Sequence, residues 1–207
     1  MNPRRACDLV LKVGGSALDL PALPGRLSSL LRTLRKDGRR IVLLAGGGSA
    51  ADIVRRWDRR FHFGEEKSHR LALAAMALNG LFLGTVVKGT QPARDRRGLR
   101  NAWKAGRVPI LDPGAFLDAE EAGFPHALPH RWSATSDSVA AWIAARLGAR
   151  ELLLVKSAPP AEGATIRELA ASGYVDRHLE RIAARIPAVS MLDLRGRSQR
   201  RRKIRRT

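Results

Sequence analysis

A chain of 207 residues with 44% hydrophobic and 28% charged side chains has material for one continuous core of ordinary domain size. Its single Cys7 excludes an intrachain disulfide framework and suits a reducing cytoplasm. Its 38 Lys and Arg against 19 Asp and Glu give +19, of which the eight basic residues of Arg195 to Thr207, with no acid among them, leave +11 on the rest; a field of that sign attracts nucleotides, phosphorylated metabolites and polyanions alike.

The start, Met1 to Arg5, is basic, but the apolar run behind it is short and interrupted by Asp8 and Lys12, so no signal peptide is expected and the cytoplasm is the expected compartment. Leu9 to Leu18, LVLKVGGSAL, predicts a buried strand that delivers Lys12 near its carboxyl end. Gly14, Gly15 and Ser16 follow, a pair of glycines that lets backbone approach an anion with no Cβ in the way, ahead of a helix whose N-terminal dipole favours negative charge. The lysine precedes the glycines, so this is not the GxxxxGK[ST] phosphate loop. Taken alone, a strand followed by a tight turn explains the residues equally well.

Leu23, Leu27, Leu30, Leu31 and Leu34 fall at helical spacing, with Asp37-Gly38 as the stop. Ile41 to Ala45 is a second strand-length apolar run, ending in Gly46, Gly47, Gly48 and Ser49. Ala50 to Phe61 predicts a helix that buries Ile53, Val54 and Trp57 and turns its arginines outward. Glu65 to Leu83 predicts a longer helix, with Asn79 in its apolar half; Leu71 to Leu83 is too short to span a bilayer and is expected to pack inside the protein. Gly84 to Lys88 and Val108 to Leu111 read as short strands on either side of a basic segment without period. Asp112-Pro113-Gly114 reads as a turn and Ala119 to Arg131 as loop, broken by Pro125 and Pro129.

Thr135, Ser136 and Asp137 are capping residues for a helix to Leu147 with Val139, Ile143 and Leu147 buried. Glu151 to Val155 is a strongly apolar strand that delivers Lys156 and Ser157 at its carboxyl end, repeating the geometry of Lys12. Two short helices, from Thr165 and from about Arg177, and a strand at Ala188 to Leu194 complete a domain over residues 1–194. Residues 195–207 are expected to be a solvated, disordered basic tail, with a nucleic-acid or polyphosphate arm as the alternative. Alternating strands and helices imply an α/β fold, a mainly parallel sheet covered on both faces, in which ligands gather beyond the carboxyl ends of the strands. Lys12, the two glycine loops and Lys156 all fall along that edge.

In KVGGSAL, VLLAGGGSA, TSDSVAAWIAARLGA and LLLVKS, taken in that order, the chain resembles the amino acid kinase family, with its three-layer α/β/α sandwich. DRRFHFGEEKSHRLALAAMALNGL, VPILDPGAF, LPHRWSATSDS and SGYVD are similar to the branch that phosphorylates an aminomethylfuran-methanol phosphate in methanofuran-type one-carbon cofactor synthesis. The resemblance implies phosphoryl transfer from ATP to a small phosphorylated or carboxylated acceptor, with Mg2+ arriving on the nucleotide and no protein-borne metal site. It implies that Lys12 and Lys156 are catalytic and that Asp137 holds both ammonium groups. Gly14, Gly15, Ser16, Lys156 and Ser157 would then bind phosphate, Gly46, Gly47, Gly48, Trp132 and Thr135 would bind the acceptor, and the chain would form a homo-oligomer. Arg70, Arg94 and Arg97 are open choices for a cation facing the acceptor. The loop Ser157-Ala-Pro-Pro-Ala-Glu-Gly departs from the acidic loop of many relatives, and no histidine directly precedes Gly46.

Three rivals stand beside this. GGGSAA at Gly46 also satisfies a dinucleotide-binding loop, with Glu65 or Glu66 as its acid, although those acids sit at a helix start. A kinase-like protein that binds nucleic acid or another polyanion without chemistry would explain +19. His126 and His130 at i, i+4 suggest zinc, against which Pro129 disfavours the aligning helix and no third ligand is evident.

Overall fold

The computed structural model describes residues 7–122, 124, 127–196 and 201–205. Met1 to Arg5, Pro125, His126, 197–200 and the last two residues lie outside them, so the basic start weighed for a signal peptide, part of the tail and one histidine of the zinc pair fall there. Among the described residues the sheet has seven strands: β1 (Leu9–Val13), β2 (Ile41–Ala45), β3 (Thr90–Ala93), β4 (Val108–Leu111), β5 (Glu151–Lys156), β6 (Ala188–Asp193) and β7 (Arg201–Lys203). Their order is β3-β4-β2-β1-β5-β6-β7, parallel throughout except for the antiparallel β7 edge. The helices are α1 (Leu23–Arg35), α2 (Gly48–Phe61), α3 (Glu65–Val86), α4 (Arg96–Lys104), α5 (Pro113–Glu120), α6 (Ser136–Arg146), α7 (Ile166–Ala171) and α8 (His178–Ala183).

Each central strand is buried on both faces, and strand parity sorts its residues into two cores. Leu9, Leu11 and Val13 join α1 on one side, while Val10 points with Leu152 and Leu154 to the side covered by α6, where Trp142 and Phe116 are fully buried. Lys12 shares the parity of Val10, and Lys156 that of Leu152 and Leu154. The register sets Lys12 beside Leu154, so Lys156 stands one same-face step further along the neighbouring strand. Both lysines therefore point toward the first turn of α6.

Several sequence expectations are corrected. Gly84 to Lys88 is not a strand: α3 continues through Val86, the chain turns at Gly89 with φ +80°, and the strand falls at Thr90. Packing of Leu83 and Val87 into the core overrides the β-propensity of the Thr-Val-Val run. The basic segment holds α4, capped by Asp95, whose carboxylate accepts from Gly98 N. Asp112-Pro113 starts α5 as N-cap and first residue instead of closing a turn.

The apolar half of α3 is not wholly inside. Met76, Gly80 and Leu83 are buried, but Leu78, Leu81 and Phe82 face outward, as do Ile53 and Trp57 of α2, which were expected in the core. In length and composition α3 could cross a membrane, yet it packs across β2 and β4 and against α2.

The C-terminal run is not a disordered tail where it is described. β7 pairs with β6, Ile204 is buried, its amide donates to Val189 O, and Ile166 N donates to Arg205 O. One apolar side chain among arginines suffices because the open edge of β6 offers unpaired backbone groups. An arm for nucleic acid therefore lacks those residues.

The first glycine loop is not followed directly by a helix. Gly15–Ala17 is a single 3-10 turn and α1 begins only at Leu23, so the helix N-termini at this edge belong to α2 and α6.

Candidate active site

Asp137 lies in the first turn of α6, behind the N-cap Thr135. Lys12 Nζ donates to its Oδ1 at 2.9 Å and Lys156 Nζ to its Oδ2 at 2.5 Å. Lys12 and Asp137 are each only 3% exposed, whereas Lys156 keeps contact with solvent at the rim of a cleft of about 640 Å³ that all three line. Burial alone would push the Asp137 carboxyl up; the charges and hydrogen bonds of Lys12 and Lys156 outweigh it and hold the group below the usual carboxylate range. Lys12 moves below its ordinary value because burial disfavours the charged ammonium and Lys156 repels it, while Asp137 and Asp176 act to keep the proton. One carboxylate thus holds two cations at one spot without fully cancelling them, an arrangement suited to the spread negative charge of a phosphoryl group in transfer.

The glycine loops meet face to face. A Cβ on Gly15 would lie 2.3 Å from Gly48 N, and one on Gly46 2.7 Å from Gly15 N, so neither position admits a side chain without moving backbone. Not all of the expected amide donors are free. Gly14 N donates to Val155 O and Gly46 N to Val13 O, so these two tie the loops to the strands. At the start of α2 the amides from Gly48 have no intrahelical partner until Ala51 N donates to Gly47 O. Asn79, the polar residue inside the apolar half of α3, donates to the carbonyls of both Gly46 and Gly47 at 2.7 and 2.8 Å. Ser16 Oγ donates to Ser157 Oγ at 2.9 Å, linking the first loop to the end of β5.

A second cleft, of about 380 Å³, opens on the other side of the loops and is lined by Gly47, Gly48, Arg55, His69, Arg131 and Trp132, among others. Gly15, Ser16, Thr135 and Ser136 line both clefts. Trp132 donates its indole N–H to Asp58 at 2.8 Å, and the Arg55 guanidinium lies 5.2 Å over its ring, so one indole face is already covered. Arg70 and Arg94 do not line this cleft and pair with Glu66, Asp118 and Asp112; the cations that line it are Arg55, paired with Asp52, and Arg131, 3.3 Å from Glu65. His69 is buried, its Nε2 has no hydrogen-bond partner among the described residues, and its ring stacks on His130 at 4.7 Å. Burial first, then the neighbouring His130, brings its pKa down to about 4, so it is neutral. Both ring nitrogens of His130 face carboxylates, Glu66 at 2.7 Å and Glu121 at 2.9 Å. Burial opposes its charge, but the two carboxylates more than offset that and raise its pKa.

Of the residues expected from the sequence, the structure brings Lys12, Lys156 and Asp137 together beside the first glycine loop and sets Gly47, Gly48, Trp132 and Thr135 along the smaller cleft. Sequence reasoning missed Arg55, His69, Arg131, Asn79 and Asp176. A lone polar residue inside an apolar helix was a signal for Asn79; the others are assembled from separate elements. Of the two acids open to the dinucleotide rival, Glu65 pairs with Arg131 and Glu66 with Arg70 and His130. Among the described residues no group of three or more His, Cys, Asp and Glu is placed to hold a metal ion.

An α/β sheet whose carboxyl edge carries two glycine loops and a lysine–aspartate–lysine cluster defines a phosphate-handling class. In fold, the chain is similar to uridylate kinase from Archaeoglobus fulgidus, with TM-score 0.63 and 16% identity over 90% of each chain. It is also similar to UMP kinase from Ureaplasma parvum, with TM-score 0.61 and 14% identity over 91% of this chain and 90% of that one. The chain belongs to the amino acid kinase family, which residues 9–160 match. An aminomethylfuran-methyl phosphate kinase of Methanocaldococcus jannaschii is 29% identical over 147 residues, 70% of this chain and 63% of the relative. The match therefore spans a little under two thirds of that relative's length.

Proposed function

We propose that this chain is an ATP-dependent phosphotransferase that moves a phosphoryl group onto a small acceptor already carrying phosphate, of the aminomethylfuran-methyl phosphate type used in methanofuran-like one-carbon cofactor synthesis. The observation that carries the reaction is the convergence of Lys12 and Lys156 on Asp137 in the larger cleft, next to Gly15, Ser16, Thr135 and Ser136, which line both clefts. ATP occupies the larger cleft beside Lys156 and the acceptor the smaller one, where Arg55 and Arg131 supply the charge for its phosphate. Family membership and the resemblance to the furan phosphate kinase support the choice of donor and acceptor.

Within this assignment Lys12 neutralises charge on the transferred group, and Lys156 does so on the nucleotide side. Asp137 fixes both ammonium groups, and the amides at the start of α2 supply the remaining donors. Asp137 is bonded to two lysines and Asp176 to backbone and hydroxyl donors. These residues fit Mg2+ as a companion of ATP that neutralises phosphate charge and keeps most of its waters, and they do not form a cage of their own. The same proposal places the protein in the cytoplasm and as a homo-oligomer, the latter supported by the exposed apolar side chains on α2 and α3.

Incubation with ATP radiolabelled on its γ-phosphate and a panel of phosphorylated and carboxylated acceptors tests the proposal. Label is expected on aminomethylfuran-methyl phosphate, yielding a diphosphate. Transfer confined to an acceptor without phosphate would overturn the acceptor assignment, and no transfer to any would overturn the reaction.

A further inference from the structure

The SGYVD stretch, Ser172 to Asp176, runs between α7 and α8 along the edge of the larger cleft. Two of its residues hold the charged cluster from outside. The Tyr174 carbonyl accepts from Lys156 Nζ at 2.9 Å, and the same ammonium lies 5.2 Å from the centre of the Tyr174 ring. Two residues on, the Asp176 carboxylate meets six donors. Its Oδ2 accepts from Thr135 N at 3.1 Å, Thr135 Oγ1 at 2.7 Å and Ser138 N at 3.1 Å. Its Oδ1 accepts from the Ser138 hydroxyl, from His178 N at 3.0 Å and from Leu179 N at 3.2 Å.

Thr135 and Ser138 flank Asp137 on α6, and His178 and Leu179 begin α8. Asp176 therefore joins the N-termini of two helices and fixes the turn that aims the Asp137 carboxylate. Its oxygens are saturated by these donors, which leaves little capacity for a ligand. From this geometry we infer that Asp176 is a positioning residue: with the Tyr174 carbonyl it locks Asp137 and Lys156 into one frame, so that the two ammonium groups are set before substrate arrives. This rests on the phosphotransferase reading above. Preorganisation of this kind matters because misplacing a catalytic group by about 1 Å can cost roughly a hundredfold in rate.

The test is Asp176→Asn in the full chain, with two readouts. The first is turnover with ATP and aminomethylfuran-methyl phosphate: kcat is expected to fall about a hundredfold while both KM values stay within about threefold. The second needs no acceptor. The titration of Lys12, followed by NMR on isotope-labelled lysine and assigned with Lys12→Arg, is expected to move to lower pH. The charged groups facing Lys12 are Asp137, Lys156 and Asp176, and the variant removes one attraction and loosens another. Ser138→Ala, which deletes one donor to Asp176 and keeps the carboxylate, is expected to lower kcat about tenfold and to move Lys12 in the same direction by a smaller step; it decides the matter if Asp176→Asn does not fold. A Lys12 titration that stays in place, or kcat within about threefold of wild type in the folded variants, overturns the inference. If instead the wild-type chain transfers phosphoryl to no acceptor, the phosphotransferase reading itself fails, while the Lys12 titration still tests the positioning role.

Discussion

The two clefts share the residues Gly15, Ser16, Thr135 and Ser136 but are built on different principles. At the lysine cluster, charged groups are buried, mutually bonded and fixed by strand register and a helix cap. At the smaller cleft, Arg55 and Arg131 are exposed, and a neutral, buried His69 whose Nε2 has no partner among the described residues lines the same space. The contrast teaches where a phosphotransferase of this build is rigid and where it can vary. The reaction needs charges held in advance, so its residues sit on the sheet edge; acceptor choice needs only shape and sign, so its residues come from helix faces and a loop.

Replacing a buried member of the cluster is the most direct way to break that contrast. Lys12→Ala is expected to lower kcat by at least about a thousandfold with the circular dichroism of the fold retained; near-normal turnover would place the chemistry elsewhere. The same residue sets a pH limit. Its pKa lies below the ordinary 10.5, so kcat in the wild type is expected to fall with rising pH before a normal lysine would titrate, and a rate that stays flat to that value would contradict a charged Lys12 at the reacting group.

Changes at the smaller cleft sharpen the comparison. Arg55→Ala and Arg131→Ala are each expected to raise KM for the acceptor about tenfold, leaving KM for ATP and kcat within about threefold, because they remove binding energy shared by ground and transition states. Steady-state kinetics with each substrate varied in turn distinguishes this from a loss of kcat.

The smallest effect belongs to His130, which bridges Glu66 at the start of α3 and Glu121 beyond α5. Its folded pKa is raised, so its contribution to stability is full below the unfolded value of about 6.5 and fades as pH rises through the folded one. With a partly exposed ring and carboxylates the contribution is modest. His130→Gln is expected to lower the melting temperature by about 2 °C at pH values below that window and to leave it unchanged well above it, measured by thermal denaturation across pH; an equal loss at both ends would assign the ring a packing role only.

The legibility of the sequence follows the same divide. Strand-length apolar runs ending in lysine or glycine, and the Thr135 to Asp137 caps, place the catalytic edge because a strand fixes side-chain direction every second residue. The parity that puts Val10 and Lys12 on the α6 face is already written in β1. Arg55, His69 and Arg131 were not legible because their meeting depends on how α2, α3 and the loop before α6 close on one another. Asp176 was hidden for a similar reason: Thr135 and Ser138, through which it reaches the site, lie about forty residues away. Helices α4 and α5 were missed although Asp95, and Asp112 followed by Pro113, carried the capping signals. Pairing of β7 could not be read, since Arg201 to Lys203 joins the sheet by satisfying the edge of β6 and by burying Ile204.

The claim on which the account turns is that Asp137 aims two ammonium groups at the phosphoryl in flight. Single-turnover transfer from γ-labelled ATP by Asp137→Asn tests it most directly, because asparagine offers an oxygen to one lysine and turns its NH2 toward the other. The account predicts a transfer rate lower by at least about a hundredfold with ATP affinity within about threefold; a rate within about threefold of wild type would contradict it.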